Sequence, residues 1–455
     1  MTNNNNTKNN KNTKFIDKSI ITVKNAVRRA RFLKHTVLPN GITVPYACFN
    51  GGPNDNIVVI GGTGAGKTRG VAEANIISGV GSMIISDTKG TLFRKYAEPL
   101  RELGYEVKHL NFIDPDLSMH YNPIDYLNTT NDVQKLSNMI VYLGLNEDNI
   151  RDPFWPKAEA MFLNATIGYL QENGSGFDRS IAGLIALIAT FDAEAIEDGD
   201  SCEATRLFEN HAALYKRMTG KPSWAFEQYK KFIGLSQRTM SCVLLSALGD
   251  IGMLDTVEMR EMMKTDEMDL RSIGDRKTAV FIEVSDTDRS KDTAINLFYT
   301  QAMDQLCRYA DSLPTHHLAV PVRFILDDFG TASKIEGFEN MISNIRSRRI
   351  STMIMIQSIA QLTQGYGEGW QTILDNCDTT IYMGSNNPKT AEYIVKLIDK
   401  PLNRVLHMPL KTHWLIRRGE APICCQTVDI DTYDTGIRLP GASFDRRVPG
   451  SRRAE

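Results

Sequence analysis

The run Ile57-Val58-Val59-Ile60 is wholly apolar and passes directly into a glycine-rich turn and then an amphipathic stretch. A short continuous apolar run bounded in this way reads as a strand buried on both faces. Further strand-like runs follow at Met83 to Ser86 and Tyr105 to Leu110, with helical periodicity between them. Such alternation is the pattern of a parallel sheet joined by crossover helices. Between about Asn128 and Asp269 the period becomes helical throughout: Phe154, Ala158, Met161, Phe162, Ala165 and Tyr169 share one face at 3.6 residues per turn. Strand-like runs resume at Thr278 to Val284, Val322 to Asp327, Ile350 to Ile356, Thr379 to Met383 and Trp414 to Arg417. The pattern therefore predicts an α/β domain interrupted by an inserted all-helical domain.

At 455 residues the chain has room for two or three domains. Its 42% hydrophobic and 23% charged residues are ordinary for a globular protein, which excludes a fibrous or wholly disordered chain. The first dozen residues, rich in Asn and Lys, offer almost nothing apolar to offset the entropy of ordering, so disorder is expected there. The net charge of -2 hides an asymmetry: residues 1–34 hold nine Lys or Arg against one acid, Asp17. Such a basic arm suits phosphates or an anionic surface, and equally a solvated tail. Seven cysteines with no C-x-x-C spacing fit reduced thiols in the cytoplasm. The longest nearly uninterrupted apolar stretch, Ile181 to Phe191, is short of the roughly 20 residues that a spanning helix needs.

Residues Gly61, Gly62, Thr63, Gly64, Ala65, Gly66, Lys67 and Thr68 match G-x-x-x-x-G-K-[ST], placed between strand and helix. In such a P-loop the glycines let backbone N–H groups wrap phosphates, Lys67 meets the β- and γ-phosphates, and the Thr68 hydroxyl ligates Mg²⁺. The helix that opens near Lys67 adds the positive end of its dipole. ATP and Mg²⁺ are the expected cofactors. A second acid is needed at the end of a neighbouring buried strand, and Val322 to Asp328 supplies two. Asp327 is the expected metal-side acid, and Asp328 stands where a base or water-orienting group is needed. Gln357, after the strand Ile350 to Ile356, either reports on the γ-phosphate or caps the next helix. Arg346, Arg348 and Arg349 are arginine-finger candidates toward a neighbouring subunit. The expected division is a disordered basic tail (1–34), a first part of the nucleotide-binding domain (35–127), the helical insertion (128–269), a second part (270–430) and a C-terminal tail (431–455).

The sequence resembles the type IV secretion coupling proteins, the conjugative coupling ATPases. The likeness rests on the P-loop, Ser86-Asp87-Thr88-Lys89-Gly90, Tyr121-Asn122-Pro123-Ile124-Asp125, Asp152-Pro153-Phe154-Trp155, Leu326-Asp327-Asp328-Phe329-Gly330, Ile356-Gln357-Ser358, Gly384 to Tyr393 and Leu415 to Gly419. These fall in order over about residues 50 to 430. The resemblance implies a RecA-like ATPase domain with an inserted all-α domain, a homo-hexameric ring, and DNA, a relaxase or relaxosome and secretion-channel components as partners. It also implies work at the cytoplasmic face of the membrane.

Two departures stand out. Many members begin with two spanning helices, and residues 1–50 contain none, so membrane attachment is expected to be either absent or delegated to a separate membrane anchor protein. The family's Asp-Glu pair is Asp327-Asp328, one methylene shorter at the second acid, which leaves room for slow hydrolysis or for help from another acid such as Glu283. The leading expectation is an ATP-dependent motor that couples DNA to a type IV secretion channel in conjugation. The alternatives are a soluble hexameric DNA translocase without a channel, and a nucleotide-dependent recruitment module with little hydrolysis.

Overall fold

The computed structural model describes residues 35–46, 52–142, 152–198, 202–329 and 334–427. The tails expected at 1–34 and 431–455 lie outside the described residues. A nine-stranded sheet forms the centre. Its strands are β3 (Ile57–Ile60), β4 (Ser82–Thr88), β5 (Glu106–Asn111), β6 (Thr278–Val284), β7 (Val322–Leu326), β8 (Ile350–Ile356), β9 (Thr379–Tyr382), β10 (Thr412–Arg417) and β11 (Ile423–Gln426), in the spatial order β11-β10-β9-β3-β8-β7-β4-β6-β5. The seven strands from β9 to β5 pair in parallel, and β10 and β11 add an antiparallel edge. A two-stranded hairpin, β1 (His35–Val37) with β2 (Thr43–Pro45), stands apart from the sheet.

Strands β3, β6, β7 and β8 are buried at every position, as strands covered on both faces are. On one face Val59, Ile85, Ile325 and Met355 pack with α1 (Glu73–Ser78), α2 (Thr91–Glu102) and the hairpin. On the other, Val58, Ile60, Leu326 and Ile356 belong to a larger core shared with the helical block, α6 (Asp292–Ser312), α7 (Ile359–Tyr366) and α8 (Pro388–Ile398). The strands read from the periodicity are all present, with ends shifted by a residue or two. The apolar pattern does not show the β1–β2 hairpin or β11, although the resemblance of Leu415 to Gly419 to a hairpin falls on the turn from β10 into β11.

Among the described residues, eight α-helices and no strand lie between Thr130 and Met262, including α3 (Phe154–Gln171), α4 (Glu203–Thr219) and α5 (Trp224–Phe232). Helix starts here follow local side-chain chemistry: Ser180, Asp192, Ser223, Ser236 and Thr256 each accept a backbone N–H of the helix that they open. One buried carboxylate ties three of these helices together. Glu172, just past α3, takes bonds from Ser223 Oγ at 2.6 Å and from the Trp224 and Ala225 amides at 2.8 and 3.2 Å, and meets His211 Nε2 of α4 at 2.9 Å. Burial pushes its pKa up, but these partners outweigh burial and hold it below the ordinary 4.5. Its contribution is therefore present above the ordinary glutamate pKa and lost as pH falls through the lowered folded value. Replacing Glu172 by Ala removes the acceptor of His211, of the Ser223 hydroxyl and of the Trp224 and Ala225 amides, and is expected to cost about 3 kcal/mol, read as a lower melting temperature. Parental melting would show that the junction is redundant.

Candidate nucleotide-binding site

Parallel register sets the geometry of the site. Ile60 lies opposite Ile356 on one side and Tyr382 on the other, so Gly61, Gln357 and Met383 leave the sheet at one level. The Gly61 amide donates to the Ile356 carbonyl at 3.0 Å, and the Gly62 amide to the Gly384 carbonyl at 2.8 Å. These two bonds staple the base of the loop to β8 and β9. A Cβ on Gly61 would sit 2.9 Å from Met383 Cβ, so the base of the loop needs glycine for space. Gly64 and Gly66 need it for conformation, with φ of 77° and 86°. A Cβ at either would meet nothing within 4 Å, so the loop leaves an open cradle above its amides. After it, a π-helical turn, Thr68–Ala72, leads into α1.

The remaining residues converge on this cradle. Lys67 Nζ donates to the Gly61 carbonyl at 2.8 Å, curled back over its own loop. Thr68 Oγ1 donates to Asp327 Oδ2 at 2.7 Å, joining the P-loop helix to the end of β7 across the intervening strand β8. Burial pushes the Asp327 pKa up, as does the charge of Asp328, while the Thr68 hydroxyl and Lys67 oppose this. A buried carboxylate beside a hydroxyl, with a lysine nearby, is a donor set suited to Mg²⁺ carrying phosphate oxygens. Asp328 has a left-handed backbone, φ 47°, and its amide donates to Asp327 Oδ1 at 3.0 Å. With Asn, Asp is among the few non-glycine residues that enter that conformation readily, because the short polar side chain can bond locally. This gives a physical reason for Asp where the longer acid was expected.

Gln357 bridges the two halves of the site. Its Nε2 donates to Asp328 Oδ1 at 3.1 Å, and its Oε1 accepts from Thr63 Oγ1 at 3.4 Å. It does not cap α7 through its side chain; its own amide is received by Gln361 Oε1 at 2.6 Å. The sequence reading missed this contact and also Ser385, whose Oγ donates to the Gln357 carbonyl at 3.4 Å. Nothing in the spacing of residues 357 and 385 foretells their meeting.

The other expected residues lie elsewhere. Arg346, Arg348 and Arg349 precede β8, at the edge of the sheet opposite the loop, and each has an intramolecular partner. Arg346 donates to the Gly52 carbonyl at 2.6 Å, Arg348 makes a two-pronged pair with Asp311 at 2.8 Å, and Arg349 donates to the Leu318 carbonyl at 3.2 Å. Glu283 is the last residue but one of β6, two strands from the end of β7 that carries Asp328, and its carboxylate is already engaged by His109 Nε2 at 3.0 Å. Asp87 is structural as well: it accepts the Leu92 and Phe93 amides at 3.0 and 2.7 Å at the start of α2, and burial raises its pKa to about 6. A Cβ on Gly90 would fall 2.2 Å from Glu283 Oε1, which explains the glycine ending that segment.

Comparison with known proteins agrees with this geometry. The family model described as Type IV secretory system Conjugative DNA transfer matches residues 6–400. Protein VirD4 of Rhizobium rhizogenes is 25% identical over 77% of this chain and 50% of its own length; Protein VirD4 of Agrobacterium fabrum is 26% identical over 76% and 50%. The chain thus spans about half the length of these curated relatives. Among solved structures, the conjugative coupling protein TrwBdeltaN70 in its unbound monoclinic form has a TM-score of 0.63 at 16% identity, covering 87% of this chain and 88% of its own. TrwB in complex with ADP and Mg²⁺ has a TM-score of 0.62 at 17% identity, covering 86% and 89%. At such identity these structures speak for the fold alone, a central, mostly parallel sheet joined to a helical domain. Among the described residues no helix is long and apolar enough to cross a membrane. With the family model covering most of its length, the chain belongs to the conjugative DNA-transfer coupling proteins of type IV secretion.

Proposed function

We propose that this chain is an ATP-hydrolysing motor that brings DNA, with its bound relaxase, to a type IV secretion channel. The observation that carries the reading is the Thr68–Asp327 hydrogen bond beside an open P-loop cradle, with Gln357 linking Asp328 to Thr63. ATP would lie with its phosphates on the amides of residues 61–68 and against Lys67. Mg²⁺ would be held by Thr68 and Asp327, and would supply charge neutralisation at the phosphate oxygens. Asp328 is the group placed to take a proton from water, and Gln357 holds its carboxylate and ties it to the loop. Lys67 has to leave the Gly61 carbonyl to reach phosphate. That exchange of partners gives the loop two states.

Family membership supports DNA-transfer machinery as the setting, with relaxase, channel components, a membrane anchor protein and a homo-hexameric arrangement as the partners to test. Work at the cytoplasmic face of the membrane follows from the same setting. A recruitment module with little hydrolysis is favoured by one observation: the short, left-handed Asp328 is already engaged by Gln357. Steady-state turnover with and without DNA separates the readings. The motor reading expects turnover that rises on addition of DNA and vanishes in Lys67→Ala; turnover indifferent to DNA would replace it with recruitment.

Asp328→Asn is expected to lower turnover by about 10² to 10⁴, the range of a general base, while nucleotide affinity stays near parental. Parental turnover in that variant would remove Asp328 from the chemistry. Because burial raises the Asp327 pKa, its carboxylate protonates at a higher pH than an exposed aspartate would. Magnesium-dependent affinity for nucleotide should therefore fall as pH is lowered through that raised value, and binding titrations without Mg²⁺ should not show the same fall.

A further inference from the structure

Arg323 is the second residue of β7, only 5% exposed, and among the described residues no carboxylate pairs with it. Its partners are neutral oxygens. Nε donates to Ser351 Oγ at 3.3 Å, Nη1 to Asn75 Oδ1 at 3.3 Å, and Nη2 to Thr36 Oγ1 at 3.0 Å and the Asp55 carbonyl at 3.4 Å. The guanidinium also lies 4.5 Å from the Tyr46 ring centroid, and the Tyr46 hydroxyl shares a 2.7 Å bond with Ser351 Oγ. Burying a cation without a counter-charge is costly, and nothing in the proposed chemistry uses this one.

Asn75 is its counterpart on α1, 3% exposed. Its Oδ1 accepts the Val37 amide at 3.1 Å and its Nδ2 donates to the Val37 carbonyl at 2.8 Å, the paired bonds that a neighbouring strand would make to β1. The same Nδ2 donates to the Val71 carbonyl at 2.9 Å. One side chain thus fastens the hairpin to the helix and the helix to Arg323.

The two elements joined here are those that carry Thr68 and Asp327. Asn75 is seven residues along the helix from Thr68, about 10 Å at 1.5 Å per residue. Arg323 is four residues along the strand from Asp327, about 13 Å at 3.3 Å per residue. Apart from apolar packing, the 2.7 Å Thr68–Asp327 bond ties helix to strand at a single point, about which the two could pivot. A second joint well below it removes the pivot, and the hairpin, bonded to both partners through Thr36 and Val37, braces the joint. We propose that Asn75, Arg323 and the hairpin residue Thr36 are positioning residues of the divalent-cation site, fixing the spacing between the Thr68 hydroxyl and the Asp327 carboxylate. The proposal rests on the reading of Thr68 and Asp327 as the cation-holding pair.

The test measures affinity for a fluorescent ATP analogue with and without MgCl₂ in the parent, Lys67→Ala, Asn75→Ala and Thr36→Val, with melting curves to establish folding. Supporting residues around a metal site change its affinity by about 10- to 100-fold, so Asn75→Ala should lose about tenfold or more of the magnesium-dependent tightening, with magnesium-free affinity within about twofold of the parent. Thr36→Val, nearly isosteric and removing one acceptor, should shift in the same direction by less; if Asn75→Ala does not fold, this variant decides. Full tightening in a folded variant overturns the proposal, as does an equal loss with and without magnesium, because the joint would then hold only the fold. A parent that binds no analogue, or binds it no better than Lys67→Ala, overturns the nucleotide-site reading itself.

Discussion

The parallel register of β3, β8 and β7 is the constraint on which the rest of this molecule depends. Backbone pairing places Ile60 beside Ile356 and Leu326 beside Ile354, so the chain leaves the sheet at Gly61, Asp327 and Gln357 within one small region. No side chain chooses that meeting. A shift of a single residue in either pairing would turn alternate side chains to the other face, putting Arg323 among the apolar groups of the second core and moving Asp327 away from Thr68. Burial on both faces opposes such a slip, because each face has its own complement of buried residues.

The buried polar groups of the sheet then gain a shared logic. Asp327 directly follows the carboxyl end of β7, toward the loop, and Arg323 lies near the amino end of the same strand, toward α1. The acid meets the first turn of the P-loop helix and the guanidinium meets the second part of it. Asp328 departs from the expected glutamate, and its left-handed backbone shows why the shorter acid suits this corner. Chain geometry and chemistry are coupled there: the residue that the turn tolerates is the residue that Gln357 holds.

Farther along the same edge, the segment Ser86 to Gly90 has a structural part to play. Asp87 starts α2, Gly90 makes room for Glu283, and Lys89 pairs with Asp286 at 2.7 Å. A motif shared with a family therefore need not touch the ligand. In the helical block the comparable device is Glu172, which joins α3, α4 and α5 through one carboxylate.

The sequence by itself determined the parts that depend on neighbours along the chain. Continuous apolar runs announced buried parallel strands, 3.6-residue periodicity announced the helical block, and the glycine spacing of residues 61–68 announced an open loop between strand and helix, since each is set by local sterics and burial. It also gave Asp327 and Gln357 as strand-end residues. Tertiary structure alone decided which strand ends lie together, that Glu283 stands four strands from the loop, that the three arginines before β8 lie at the opposite edge, and that Asn75, Thr36 and Arg323 meet beneath the site. Those contacts join residues up to some three hundred positions apart. They follow from strand order and register, which pattern along one chain does not encode, because any strand buried on both faces looks apolar whichever neighbours it has.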